Sequence, residues 1–240
     1  MKNMGKENKG QKNIDFFTTT THHVWSPVYT LKKYLEELAN EEPGKINEKQ
    51  KQYIGACREN VEKIENTVSR LVQVMEIEEG RYEPKEEKLD ITKEVKGVVS
   101  ANFPFVRASN ARIVVKSEKE PVFVFADKEK IKEVLEELIT NAVKYKSSGE
   151  GVVKIKVEEW EEDVLCLVED NGVGLSKEER KRIFDRFYRA KSAIYREPEG
   201  LGLGLFICKH IIELNGGDIW VKGNDNEGET FFFTLPRAVN

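Results

Sequence analysis

The chain has 240 residues, with 39 Lys and Arg set against 43 Asp and Glu, a formal net charge of −4. That length suits one large domain or two small ones and leaves ample chain for a buried core. Near-balanced charge excludes the basic footprint of a nucleic-acid binder, and no apolar run approaches the ~18 residues of a membrane span.

The polar, Lys-rich start is unlike a signal peptide. Cys57, Cys166 and Cys208 stand far apart among apolar neighbours. They lack the paired spacing of a zinc site and are expected to be small core residues in a reducing compartment. The chain is therefore expected to be soluble and cytoplasmic, either by itself or as the cytoplasmic part of a membrane receptor.

Residues 1–13 are rich in Lys, Asn and Gly and are expected to form a disordered tail. Beyond them Ile14, Phe17, Thr21, Val24, Val28, Leu31, Leu35 and Leu38 recur at alternating spacings of three and four, a heptad seam. Pro43 and Gly44 break it, and Asn47 with Gln50 forms an N-cap and capping-box pair. A second seam follows at Ile54, Cys57, Val61, Ile64, Val68, Leu71 and Met75. The pattern predicts an antiparallel helical hairpin over residues 14–82. Such a hairpin cannot bury both faces alone, so two are expected to pair into a four-helix bundle, which predicts a homodimer.

The stretch THHVWSPV, 21–28, interrupts the first helix with Pro27. One reading has Ser26 capping a helix whose first residue is Pro27, a strong start signal. Against that, the seam continues unbroken from Ile14 to Leu38, which favours a continuous but bent helix, at about 3 kcal/mol for an ordinary internal proline. With Ile14 at position a and Phe17 at d, His22 falls at b and His23 at c. Both are off the seam and face solvent.

After Gly80 and Pro84 the pattern changes. Strand-like runs occur at 111–115 and 122–126. A helix follows, capped by Asp127 and faced by Ile131, Val134, Leu135, Leu138, Ala142 and Val143. Strands at 152–160 and 164–169 are joined by an acidic turn, 161–163. Ser176 with Glu179 opens another helix as a capping box. A helix at 203–214 and strands at 218–222 and 230–235 complete the chain. Residues 83–240 thus predict an α/β sandwich, and the whole chain is of the α+β class.

Three stretches are suited to chemistry. In ELITNAVKY (137–145), Glu137, Asn141, Lys144 and Tyr145 share one helix face away from the apolar one. A carboxylate and a carboxamide one turn apart offer oxygens to Mg2+, and Lys144 offers a cation to phosphate; the alternative is a solvated polar face. In VEDNGVGL (168–175), Asn171-Gly172 is a common hairpin turn. Equally, Asp170 at a strand end can accept a hydrogen bond from an adenine amino group, with Gly172 and Gly174 letting the backbone pass close to the base. In EGLGLGLFICKHIIEL (199–214), Gly200, Gly202 and Gly204 run into an apolar helix, a geometry suited to a polyphosphate. It is neither a Walker A loop nor a Rossmann turn.

The order of these stretches, with IFDRFYRA (183–190) between the second and third, closely resembles the ATP-binding domain of two-component sensor histidine kinases, in the wider group that holds Hsp90-like ATPases. ELITNAVKY resembles the N box, DNGVGL the G1 box, IFDRFYRA the F box and GLGLGL the G2 box. GETFFFTLP (228–236) resembles the closing hairpin, and the upstream helices resemble the dimerisation and phosphoacceptor domain. The resemblance implies that Asn141 ligates Mg2+ with Glu137 assisting, and that Lys144 approaches the phosphates and Tyr145 the nucleotide. It implies that Asp170 binds the adenine amino group, supported by Gly172, Gly174 and Thr230. Phe184 and Phe187 would anchor a mobile lid of about 189–199, hinged by Gly200, Gly202 and Gly204. ATP and Mg2+ are the implied cofactors, and a response-regulator receiver domain the implied partner.

In the family's acceptor motif, roughly Ser-His-Glu-Leu-Arg-Thr-Pro, proline follows the histidine by five. Pro27 is five after His22, so the resemblance implies His22 as phosphoacceptor, with Ser26 in place of the threonine that serves dephosphorylation. His23 stands where the family has an acidic residue, and Trp25 where it has arginine. A neutral His23 accepts a proton only above its pKa, ordinarily about 6.5, which predicts weak or pH-sensitive autophosphorylation. The implied function is an ATP-dependent protein-histidine kinase core that passes phosphoryl to a regulator aspartate. The atypical acceptor box keeps open a nucleotide-binding scaffold or a regulator phosphatase.

Overall fold

A computed structural model describes residues 24–198, 200–224 and 228–238. The chain divides into two compact units between Glu76 and Ile77, within a helix, whereas composition placed the boundary after residue 82.

In the first unit, helix α1 spans 24–39 and α2 spans Glu48–Glu78. Residues 24–26 are helical, so α1 runs through Pro27 and Ser26 is not an N-cap. The Thr30 hydroxyl donates to the Ser26 carbonyl at 2.9 Å in the turn after the proline. His22, His23 and the first three seam positions lie outside the described residues.

The α2 start is closed by two reciprocal bonds. The Asn47 amide donates to Gln50 Oε1 at 2.8 Å, and the Gln50 amide donates to Asn47 Oδ1 at 2.9 Å. Lys32 Nζ reaches Glu65 Oε2 at 2.9 Å and ties the two helices together. Val28 and Val61 of the two seams are buried, but Leu31, Ile64 and Leu71 stay exposed in the single chain. Cys57, expected in a core, is exposed too.

The second unit begins with strand β1 (Glu86–Asp90), helix α3 (Ile91–Ala108) and strands β2 (Ala111–Ser117) and β3 (Phe123–Asp127). Helix α4 (Lys128–Lys144), strands β4 (Gly151–Glu159) and β5 (Asp163–Asp170), and helices α5 (Lys177–Arg182), α6 (Lys191–Arg196) and α7 (Gly204–Leu214) follow. Strands β6 (Ile219–Gly223) and β7 (Glu229–Pro236) end it. A five-stranded sheet has the order β2-β4-β5-β7-β6, and β1 pairs with β3 in a separate two-stranded sheet. Only β2 and β4 run parallel in the larger sheet; its other neighbours are antiparallel.

Side-chain alternation puts one apolar face on that sheet. Ile155, Val168 and Phe231 lie in register across three strands, as do Val157, Cys166 and Phe233, all buried. Helix α4 packs on β4 and β5 and against α3 and α7. Its predicted apolar positions are all buried, and burying each larger one contributes about 1.5–3 kcal/mol. Asp127 caps it as predicted, accepting from the Lys130 amide at 3.1 Å.

Three elements were not legible: α3, β1 and the short α6. The 18 residues of α3 carry Gly97 and Pro104, which read as breakers, yet Asp90 caps the helix through the Thr92 and Lys93 amides. Ile91, Val95, Val98 and Val106 bury its inner face. Strand β1 is mostly charged, with only Leu89 buried, and shows no alternation. The other strands differ from expectation only at their ends.

Candidate functional site

The polar face of α4 forms one wall. Asn141 Nδ2 donates to Glu137 Oε1 at 3.2 Å, so the two groups meet as their spacing predicts. A carboxylate and a carboxamide this close, half-buried on a rigid helix, fit a hard cation that keeps several waters and takes phosphate oxygens. Among the described residues there is no group of three or more His, Cys, Asp or Glu that could hold a metal by itself. Lys144 lies further along, 3.5 Å from Glu197 Oε1. Burial raises the Tyr145 phenol above its usual range, and the Glu197 carboxylate adds to the effect.

The end of α4 is stitched to the loop after β5. The Val173 amide donates to the Tyr145 carbonyl at 3.1 Å, and Lys146 and Gly172 form an isolated bridge. The chain passes from this loop to α5 and not back along β5, so Asn171-Gly172 is no hairpin turn. Asn171 instead accepts from the Val152 amide at 2.8 Å and donates to the Glu150 carbonyl at 3.0 Å. A Cβ at Gly172 would lie 2.7 Å from both Asp170 Oδ1 and the Tyr145 carbonyl oxygen, so only glycine fits.

Asp170 ends β5 with Oδ1 accepting from the Gly172 amide at 2.7 Å and the Glu229 amide at 3.2 Å. Burial pushes its carboxyl up to about 6, against the lowering effect of those two amides. Asn224 donates to the Asp170 carbonyl at 2.9 Å, and Thr230 donates to Asn224 Oδ1 at 2.6 Å. Thr230 therefore supports Asp170 through Asn224. Gly174 lies in the same loop, close to Gly228 and the Glu229 carboxylate.

Phe184 packs edge-on against Phe231, ring centroids 6.3 Å apart. The Phe187 ring is exposed, and its backbone amide donates to the Gly202 carbonyl at 3.0 Å. Gly202 sits at φ +69, and a Cβ there would lie 2.5 Å from the Tyr188 carbonyl oxygen. Gly200 lies against the Arg189 guanidinium, and Gly204 opens α7 with no side-chain cap on its first turn. The expected lid is partly helical, since Lys191–Arg196 form α6. Arg189 donates to the Ala193 and Pro198 carbonyls, and Arg196 donates to the Lys146 carbonyl at 2.7 Å, docking the segment on the end of α4.

Three residues of this site escaped the sequence reading. Asn224 and the Glu229 amide bond to Asp170, and the Arg180 guanidinium makes two bonds to the Glu229 carboxylate, at 2.7 and 2.8 Å. Neighbouring positions in sequence carry no signal of that pairing.

Residues 126–239 match the family described as histidine kinase-, DNA gyrase B-, and HSP90-like ATPase. The chain is 30% identical over 232 residues to Sensor histidine kinase WalK of Bacillus subtilis (strain 168), covering 96% of this chain and 38% of that protein. It is 29% identical over 228 residues to Sensor protein RprX of Bacteroides fragilis (strain YCH46), covering 94% of this chain and 44% of that protein. The chain thus spans less than half the length of these two curated relatives. In fold it is similar to full-length ShkA, solved in complex with AMPPNP, with a TM-score of 0.81 at 23% identity over 94% of this chain and 46% of that one. It is also similar to the catalytic domain of histidine kinase ThkA, with a TM-score of 0.57 at 28% identity over 64% of this chain and 98% of that one.

Proposed function

We propose that the chain is a sensor histidine kinase catalytic core, with residues 126–239 its ATPase domain, and that it transfers the γ-phosphoryl group of Mg·ATP to His22 and thence to a response-regulator aspartate. What supports nucleotide binding most is the joining of the α4 polar face to the Asp170 loop through the Tyr145 carbonyl. That union sets a cation and phosphate wall beside a carboxylate suited to an adenine amino group.

In this reading Asp170 accepts from the amino group, and Gly172 and Gly174 let the base come close. Glu137 and Asn141 would hold Mg2+, which would supply neutralisation of phosphate charge. Lys144, Tyr145, the glycines Gly200, Gly202 and Gly204, and the uncapped start of α7 receive the triphosphate. Phe184 anchors the segment that covers it. An imidazole nitrogen of His22 bonds to the γ-phosphorus as the bond to the bridging oxygen breaks; ADP leaves, and His23 takes the ring proton. Catalysis is then mainly positioning and charge neutralisation. The exposed seam residues of the hairpin pair with a second copy, giving a homodimer with a four-helix bundle. In this reading Ser26, exposed on α1, serves dephosphorylation of the regulator.

Incubation with ATP carrying ³²P at the γ-position tests the proposal, comparing wild type with His22→Ala and His23→Ala. Acid-labile label lost in His22→Ala but retained in His23→Ala is the expected result. Label lost only in His23→Ala overturns the acceptor assignment. No label with intact nucleotide binding points to a nucleotide-binding scaffold.

A further inference from the structure

Glu229 holds both ends of the loop that follows Asp170. Its own amide donates to Asp170 Oδ1 at 3.2 Å, while its Oε1 accepts from the Leu175 amide at 2.6 Å. The residue is buried, its side chain 4% exposed, so its charge needs a partner, and Arg180 of α5 supplies one through two bonds. Arg180 is itself confined, since a Cβ added at Gly223 would lie 2.0 Å from its Nη2. One bidentate pair therefore clamps β7, the loop Gly172–Leu175 and α5 around a single carboxylate.

We propose that Arg180 and Glu229 are positioning residues that set the orientation and charge state of Asp170, and with them nucleotide recognition. The inference rests on the nucleotide-binding reading above. The Glu229 charge, one backbone amide away, disfavours ionisation of Asp170, and the Arg180 cation paired with Glu229 offsets that repulsion. Other charged groups on the elements around Asp170 include Glu169 beside it, paired with Lys154 of β4 at 2.6 Å, Glu137 and Lys144 of α4, the latter 3.5 Å from Glu197, Lys146 past the end of α4, and Lys222 of β6. Lys146 donates to the Gly149 carbonyl and Lys222 lies over the Phe232 ring, so neither takes the place of Arg180. Removing the two partners must then act in opposite directions. Loss of the Glu229 charge favours ionised Asp170, whereas loss of Arg180 leaves Glu229 unpaired and disfavours it.

The test is titration of the full chain with ADP from pH 5 to 8, for wild type, Glu229→Gln, Arg180→Gln and Arg180→Lys. Wild-type affinity is expected to fall on acidification. The midpoint of that fall moves to lower pH in Glu229→Gln and to higher pH in Arg180→Gln, which also loses about tenfold in affinity at pH 7. Arg180→Lys, keeping the charge without the fork, restores the midpoint toward wild type. Shifts in the same direction for the two Gln variants, the outcome of a merely structural clamp, overturn the inference and leave nucleotide binding intact. If Arg180→Gln does not fold, Glu229→Gln decides: a midpoint unchanged or raised overturns it. Wild type that fails to bind ADP at any pH overturns the nucleotide reading and this inference with it.

Discussion

The Lys144 ammonium lies 3.5 Å from a Glu197 carboxylate oxygen, joining the end of α4 to the segment just after α6. The cation proposed to meet phosphate is thus already engaged by an internal anion. Both side chains are about two-fifths exposed, at 40% and 41%, so the pair is solvent-screened and readily exchanged.

Replacing Glu197 by Gln should free Lys144 and tighten ATP binding. Exposed pairs contribute roughly 0–1 kcal/mol, which limits the gain to about fivefold. Lys144→Ala should weaken binding and abolish the effect of Glu197→Gln. Titrations of the two single variants and the double variant at low and high salt measure both effects. A gain that persists in the Lys144→Ala background contradicts the exchange.

Asp170 predicts a trade between stability and recognition. Its folded carboxyl is pushed up to about 6, so its ionisation opposes folding at neutral pH. As pH falls through about 6 toward the ordinary Asp value of about 3.9, the folded form takes up the proton first, and this group adds stability on acidification. Asp170→Asn keeps an oxygen for the Gly172 and Glu229 amides but carries no charge. It should stabilise the nucleotide-free protein by about 2 kcal/mol at pH 7, or roughly 4–8 °C in Tm, and flatten the rise toward pH 5. ADP binding should meanwhile fall. Thermal melts at pH 5, 6 and 7 with and without ADP check both.

The proposed proton acceptor predicts a pH-dependent transfer rate. If His23 acts as base, the rate should fall as pH drops through about 6.5, while nucleotide binding, governed by Asp170, falls at lower pH. The two appear separately in kcat and KM for phosphorylation of His22. His23→Glu should raise the rate at pH 6 and flatten the profile. A wild-type kcat unchanged between pH 6 and 8 contradicts the role.

The hairpin's open seam predicts association. Leu31 is 52% exposed and Ile64 44%, each at a heptad position where a bundle places core. Leu31→Asp or Ile64→Asp should convert a dimer into monomers in sedimentation, because a charge in that seam is left unpaired. Nucleotide affinity should be unchanged, since neither residue belongs to the unit that carries the candidate nucleotide site.

Features that rest on short-range spacing were legible from the chain alone. The Asn47–Gln50 and Ser176–Glu179 capping boxes are three-residue relationships, and both form as spaced. The apolar face of α4 and its Asp127 cap follow from the helical repeat, as does the meeting of Glu137 with Asn141. The order of the glycine-rich and polar motifs identified the ATPase fold. In each case the interacting groups are near in sequence, so one local conformation determines whether they meet.

Tertiary structure decided the rest. Helix α3 forms despite Gly97 and Pro104 because packing against α4 and β2 outweighs weak local preference. Asn171-Gly172 becomes a bridge to the end of α4 because the chain turns toward α5. Arg180 and Glu229 are 49 residues apart, and each alone resembles a surface charge. Only the pairing of β5 with β7 brings Glu229 beside Asp170 and under Arg180. Local sequence determines which groups can cap, turn or line a helix face, but the choice of partner for a buried charge depends on strand register. Register is set by burial across the whole sheet.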